Sequence, residues 1–286
     1  MGEGRRAGET TAMAGEAVGT TNAATMEDTT IAREIRRKLR EIEEKEKVRI
    51  LYAVESGSRA WGFASPDSDY DVRFIYVRTL EDYLGLEQKR DVIEWQLDEV
   101  FDMNGWDIRK ALAQFRKSNA AVFEWSNSPI VYWEREEWKK VYETAEEYFR
   151  VKPALYQYYG VAKSTCCQFL LGDEVRYKKY FYALRPLLAC RYIWDHKCAP
   201  PIVFDQLMKT ELDSELRREI EELVDRKRGT MEGERNLPIP GILRFIEEEL
   251  SVWRERIGGL PEERYGDWKE LNQVFLSLVK GIWENE

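Results

Sequence analysis

The stretch VESGSRAWGFASPDSDYDVRFIY, Val54 to Tyr76, decides the fold. It opens at the end of an apolar run, carries a Gly-Ser pair at Gly57-Ser58, and then sets three aspartates at alternate positions, Asp67, Asp69 and Asp71, before turning apolar again. SGSRAWG reads as a turn into a short helix, SPDS (Ser65–Ser68) as turn chemistry, and Asp69–Val77 as a strand. Period two places Asp69, Asp71 and Arg73 on one strand face and Tyr70, Val72, Phe74 and Tyr76 on the other. An aspartate inside a strand is disfavoured and here lies close to like charge, so Asp71 needs a reason.

Three readings compete. Asp67, Asp69 and Asp71 imitate positions one, three and five of a calcium-binding loop, but that loop needs a glycine next and a glutamate at its end. Val72 and Arg78 stand there instead. A structural turn accounts for Asp67, Ser68 and Asp69 and leaves Asp71 unexplained. Metal-assisted phosphoryl or nucleotidyl transfer gives Asp71 a purpose, together with Asp69. Carboxylates at i and i+2 share a face with Cα atoms about 6.6 Å apart, near enough for their oxygens to converge on divalent ions. Two Mg²⁺ ions about 4 Å apart activate a hydroxyl and stabilise a leaving phosphate. Gly57 permits close backbone approach, and Ser58 opens a helix whose N–H groups favour phosphate.

Working outward, Ile31, Ile35, Leu39 and Ile42 recur at helical spacing and predict a helix over Ile31–Glu46. VRILYAVE (Val48–Glu55) reads as a buried strand, and RDVIEWQL and EVFDMNG as two more, the second placing Val100, Asp102 and Asn104 on one face. DIRKALAQFRKSN is a helix with an apolar stripe of Ile108, Ala111, Leu112 and Phe115. From Glu134 onward the pattern is helical, over Glu134–Phe149, Pro153–Leu171, Glu174–Trp194, Glu211–Arg228, Ile239–Trp253 and Trp268–Trp283. Pro200-Pro201 and Lys227–Gly241 read as loops. The fold class is α+β: a sheet domain over residues 29–132, then an all-helical domain over residues 133–286.

These residues reach a known family. Gly-Ser, ten residues, then Asp-x-Asp (Gly57-Ser58 through Asp69-Tyr70-Asp71) resembles the DNA polymerase beta superfamily of nucleotidyltransferases. The strings GSRAWGFASPDSDYDVRFIY, DMNGWDIRKALAQFRKSNAAVFEW, SPIVY and KKYFYALRPLLACRYIW look like the predicted nucleotidyltransferases that include the RNA-repair-pathway-associated group. The likeness covers most of Val48–Trp194. Asn119-Ala120 departs from the Asn-Pro common in such proteins. The resemblance implies a polymerase-beta-type sheet domain, a cleft between it and the helical domain, Mg²⁺ or Mn²⁺ on the aspartates, and a third carboxylate on a neighbouring strand. Asp102 stands in the family's place for that acid, while Asp107 is accounted for as a helix cap. The resemblance also favours Lys179 and Arg185 as cleft residues that neutralise phosphate, against the plainer reading of RYKKYFYALR, with Lys178, as an exposed basic face over an aromatic core.

Arg59 lies beside the phosphate-binding turn, where triphosphate contact and simple solvation are both open. Ser56 and Ser68 suit local hydrogen bonds of the loop. Arg73 shares the aspartate face, so pairing with those carboxylates can be its whole role. Arg109 and Lys110 stand opposite their helix's apolar stripe, and Glu124 and Trp125 read as packing and surface residues.

Composition narrows the classes. Hydrophobic residues make up 43% and charged residues 34%, as in a globular protein, and no apolar run approaches the ~20 residues of a membrane span. Met1 to about Asp28, rich in Gly, Ala and Thr, lacks the apolar stretch of a secretory signal and is expected to be disordered, with Met1 or Met26 as the true start. Four cysteines without C-x-x-C spacing predict reduced thiols and a cytoplasmic location. His196, between Cys190 and Cys198, lacks the fourth ligand a zinc site needs. The net charge of −9 argues against a broad nucleic-acid footprint but not against a local basic cleft.

The expected reaction is transfer of a nucleoside monophosphate from an NTP to an acceptor hydroxyl, an RNA end being favoured, with release of pyrophosphate. Asp69, Asp71 and Asp102 hold the metals, and Gly57, Ser58, Arg59, Ser68, Lys179 and Arg185 seat the nucleotide. A protein side chain as acceptor, and a non-catalytic NTP-binding regulatory partner, are the alternatives.

Overall fold

Ala32, Ile35, Leu39 and Ile42 form the apolar stripe of the first helix, which starts where the Thr29 hydroxyl accepts the Ala32 N–H at 3.1 Å. It ends where Lys47 turns left-handed, with φ 53°. The computed structural model describes residues 29–65, 67–95, 100–229 and 234–283. The expected disordered tail (residues 1–28) and the junction of the two strands expected in RDVIEWQL and EVFDMNG (residues 96–99) lie outside the described residues.

In chain order the sheet region comprises α1 (Thr30–Glu46), β1 (Arg49–Glu55), α2 (Gly57–Trp61), β2 (Tyr70–Val77), α3 (Leu80–Leu84), β3 (Val92–Trp95), β4 (Phe101–Asp107), α4 (Ile108–Arg116), α5 (Ala120–Ser126) and β5 (Val131–Glu134). The rest is helical: α6 (Glu136–Glu146), α7 (Val151–Thr165) running into a π turn at Cys166–Leu170, α8 (Tyr177–His196), α9 (Phe204–Leu207), α10 (Ser214–Gly229), α11 (Pro240–Gly259) and α12 (Lys269–Gly281). The class is α+β, as the sequence predicts. Among the described residues no helix is long and apolar enough to cross a membrane.

The five strands lie in the order β3-β4-β2-β1-β5. β1 runs antiparallel to both β2 and β5, β3 runs antiparallel to β4, and β2 and β4 are parallel. The parallel pair matters most, because its register sets Asp71 opposite Asp102 and Phe74 opposite Gly105. A Cβ at Gly105 would lie 2.1 Å from the Phe74 ring, so only glycine lets the two strands close at this register.

Alternation sends Val72, Phe74 and Tyr76 of β2 under α1, and Ile75 and Val77 to the opposite face. There they meet Ile108, Leu112 and Phe115 of α4 and Trp138 and Val141 of α6. The C-terminal helix α12 joins the same core through Leu271, Val274 and Leu278. Residue 132, the expected end of the sheet domain, falls inside β5, and the last helix packs on α6 and α4, in the core that covers the sheet. β5 escapes the sequence reading because an edge strand of four residues is too short to show alternation.

A separate core joins α7, α8, α10 and α11. Phe63, just after α2, enters it from the sheet side, stacking on Phe181 at 4.4 Å and meeting the Phe204 ring edge-on at 5.7 Å. The loop after Gly57-Ser58 is thereby fastened into the helical half.

Asp107 caps α4, accepting the Arg109 N–H at 2.8 Å and the Tyr83 hydroxyl at 3.1 Å. Burial pushes its carboxyl up to about 6 from an ordinary 3.8. The folded protein thus holds this proton more tightly than the unfolded chain, so the contribution to stability is full below about pH 4 and is lost as pH rises through about 6. Between pH 4 and 7 the wild type should lose on the order of 2–3 kcal/mol relative to Asp107→Asn, measured by urea unfolding. A difference that stays constant over that range contradicts the assignment.

Candidate active site

The site forms where β1 and β2 part. The chain leaves β1 at Glu55, turns at Ser56 and Gly57, makes the single helical turn of α2, and re-enters the sheet at Tyr70. Gly57 has φ +61°, a region that side chains other than glycine's adopt at a cost. A Cβ there would also lie 2.1 Å from Asp71 Oδ2. The Gly-Ser turn and the second aspartate are therefore in direct contact, and the close approach that the sequence assigns to phosphate is made here by a carboxylate.

Asp71 and Asp102 face each other across the parallel pair and share one cation. Arg73 Nη2 donates to Asp71 Oδ1 at 3.0 Å and to Asp102 Oδ2 at 2.8 Å, while Nη1 donates to the Asp102 carbonyl at 2.8 Å. Burial raises the Asp71 carboxyl above its ordinary range; Arg73 opposes this, Asp102 and Asp69 add to it, and Lys178 opposes it. Asp69 is exposed at the mouth of the site, one residue before the strand begins.

The guanidinium of Arg59 lies on the Tyr70 ring, 3.8 Å from its centroid, and donates to the carbonyls of Asp69 (3.0 Å) and Ser68 (2.6 Å). It straps the loop that carries the aspartates. The Ser68 hydroxyl lies 3.0 Å from that of Ser65, which in turn accepts from the buried Lys227 of α10 at 2.8 Å. Ser58 is buried in α2.

On α8 the basic residues separate. Lys178 is the one whose charge is felt at Asp71. The Lys179 ammonium lies over the Phe169 ring at 3.9 Å. Arg185 is placed in the interior at 4% exposure, paired with Glu124 at 2.9 Å, donating to the Ile202 carbonyl at 3.1 Å and stacked on Trp61 at 4.5 Å. Its reach to the site is through Trp61, the last residue of α2, and Glu124, read from sequence as a surface residue, is its ion partner. Cys190 is buried against the Leu155 carbonyl, while Cys198 and His196 are exposed.

Two residues that matter here were not singled out in the sequence. Glu55, wholly buried, accepts the Asp71 N–H at 2.9 Å and the Tyr132 hydroxyl at 2.6 Å, and burial pushes its carboxyl up to about 7. A signal existed, since an acid closes VRILYAVE directly after the apolar run Ile50–Val54. Lys227 gave none, being one of several charges in a charged helix.

Among the described residues no group of three or more His, Cys, Asp or Glu side chains is gathered closely enough to hold a metal ion. Asp71 and Asp102 do converge on one positive group, the Arg73 guanidinium, which stands in for a cation between two hard oxygen donors. Those donors suit Mg²⁺ or Mn²⁺.

Replacing Arg73 by Met leaves the two carboxylates opposed without their cation. The variant should be about 1 kcal/mol less stable than wild type at pH 7, a modest figure because both acids are partly exposed. The deficit should shrink as pH falls, because burial already favours the protonated Asp71 carboxyl and loss of Arg73 favours it further; a deficit that does not change with pH contradicts it.

Comparison with known proteins identifies the family. Residues 31–277 match the model of the RNA repair pathway DNA polymerase beta family. The uncharacterized protein YcgL of Bacillus subtilis (strain 168) is 43% identical over 255 residues, covering 86% of this chain and 96% of that protein. A solved nucleotidyltransferase-like protein from Exiguobacterium sibiricum 255-15 is 13% identical, with 87% of this chain and 88% of that one covered at a TM-score of 0.33, a likeness too slight to carry an argument. The chain belongs to the RNA repair pathway DNA polymerase beta family.

Proposed function

We propose that the protein transfers a nucleoside monophosphate from an NTP to an acceptor hydroxyl, with Asp69, Asp71 and Asp102 as ligands of Mg²⁺ or Mn²⁺. The observation that carries this reading is the register of β2 on β4, which sets Asp71 and Asp102 on one cation beside the Gly57 turn. A divalent ion bound there supplies charge neutralisation and lowers the pKa of the attacking hydroxyl.

The chain's own residues do the rest. Gly57 and Ser58 offer the N–H groups of the turn to the triphosphate. Arg59 and Ser68 keep the aspartate loop in shape, Lys178 and Lys179 balance phosphate charge from α8, and Arg185 supports α2 from beneath through Trp61. The acceptor oxygen bonds to the α-phosphorus as the bond to the bridging oxygen breaks, releasing pyrophosphate. Asp102, the more exposed of the paired acids, would receive the hydroxyl proton. The family's association with RNA repair favours an RNA end as acceptor over a protein side chain.

A second reading, an NTP-binding regulatory partner without transfer, is favoured by one observation: Arg73 already neutralises both carboxylates. Incubation with each of the four NTPs labelled at the α-phosphate, Mg²⁺ or Mn²⁺, RNA oligonucleotides and lysate proteins separates the two. Label should pass to RNA with the wild type and fall to background with Asp71→Asn, which should keep its fold by circular dichroism. Label on protein alone would move the acceptor. NTP binding with no labelled acceptor would favour the regulatory reading.

A further inference from the structure

Where β1 and β2 separate, one backbone donor loses its expected partner. Glu55 is in register with Val72, so the next pair is Ser56 with Asp71. Ser56 N–H donates to the Asp71 carbonyl at 2.8 Å, which is half of a hydrogen-bonded antiparallel pair. The other half would run from the Asp71 N–H to the Ser56 carbonyl. Ser56, however, is the N-cap of α2, and an N-cap carbonyl accepts the first bond of its helix. At the turn into α2 the Asp71 N–H therefore takes a side-chain acceptor instead of the Ser56 carbonyl.

Glu55 fills that gap with its side chain. Oε1 accepts the Asp71 N–H at 2.9 Å, Oε2 accepts the Tyr132 hydroxyl of β5 at 2.6 Å, and the Glu55 carbonyl accepts the Ser128 hydroxyl at 2.6 Å. The side chain is 0% exposed. The two oxygens of one buried carboxyl thus tie the Asp71 amide to the Tyr132 hydroxyl, so that neither moves independently of the other. We infer that Glu55 is a positioning residue of the transfer site: by clamping the Asp71 amide against β5 it fixes the direction in which the Asp71 carboxylate meets Asp102 and its cation. This rests on the function proposed above.

The test uses Glu55→Ala, Glu55→Gln and Tyr132→Phe in the full chain, with three readouts: amide exchange at Asp71 by NMR, Mn²⁺ affinity by electron paramagnetic resonance, and kcat against KM for NTP. Glu55→Ala should speed exchange at Asp71 but not in α1 or β4, weaken Mn²⁺ binding about tenfold, and lower kcat more than it raises KM. Glu55→Gln keeps an acceptor oxygen and should recover most of each. If Glu55→Ala does not fold, Tyr132→Phe, which frees only Oε2, should still weaken Mn²⁺ binding. A folded Glu55→Ala with wild-type exchange at Asp71 and wild-type Mn²⁺ affinity overturns the inference, as does an unaltered Tyr132→Phe when Glu55→Ala is unfolded. A wild type that neither binds Mn²⁺ nor transfers nucleotide would count against the proposed function instead, and exchange at Asp71 would then decide the role of Glu55 alone.

Discussion

Two aspartates directly opposite on neighbouring strands are the constraint on which the rest of this site depends. Strands about 4.8 Å apart bring like charges close enough to repel, and half-burial of Asp71 sharpens the penalty. The parallel register holds them side by side, and a cation between them relieves the repulsion. Arg73, two residues along the same strand, provides it. Gly57 follows from the same constraint, because the Asp71 carboxylate leaves no room for a Cβ beside it. Gly105 follows from the register, because the Phe74 ring occupies its side-chain space.

The helical half shapes this site without supplying its carboxylates. Phe63 anchors the loop in the helical core, Lys227 reaches from α10 to the serines beneath the aspartate turn, and Arg185 backs Trp61 while tied to Glu124. All three ties fall on the segment between the Gly-Ser turn and β2. A loop with little secondary structure of its own is given a defined course by contacts with distant parts of the chain. Binding sites on loops commonly depend on such a scaffold.

Much of this was legible in the sequence because it is local. Alternation around Asp69, Asp71 and Arg73, the Gly-Ser turn, the cap at Asp107 and the stripes of α1 and α4 are written within a few residues of each other. The choice of Asp102 needed the family resemblance, and the structure sets it opposite Asp71. What escaped is non-local. The return of α12 to the core that covers the sheet, the pairing of β5 with β1, and the inward course of Arg185 to Glu124, 61 positions earlier, are decided by tertiary contacts that no spacing announces. Glu55 lies between these cases: its burial was readable from the apolar strand around it, but its bond to the Asp71 amide depends on where β1 and β2 part.

The most direct test is crystallographic. Crystals grown with Mn²⁺ and a non-hydrolysable NTP analogue, measured at the manganese edge, would locate the metal by its anomalous signal. The account predicts density for manganese against the carboxylates of Asp71 and Asp102, with the Arg73 guanidinium displaced and the analogue's phosphates at the Gly57 turn. Arg73 still bridging both aspartates, with no anomalous peak beside them, would contradict it.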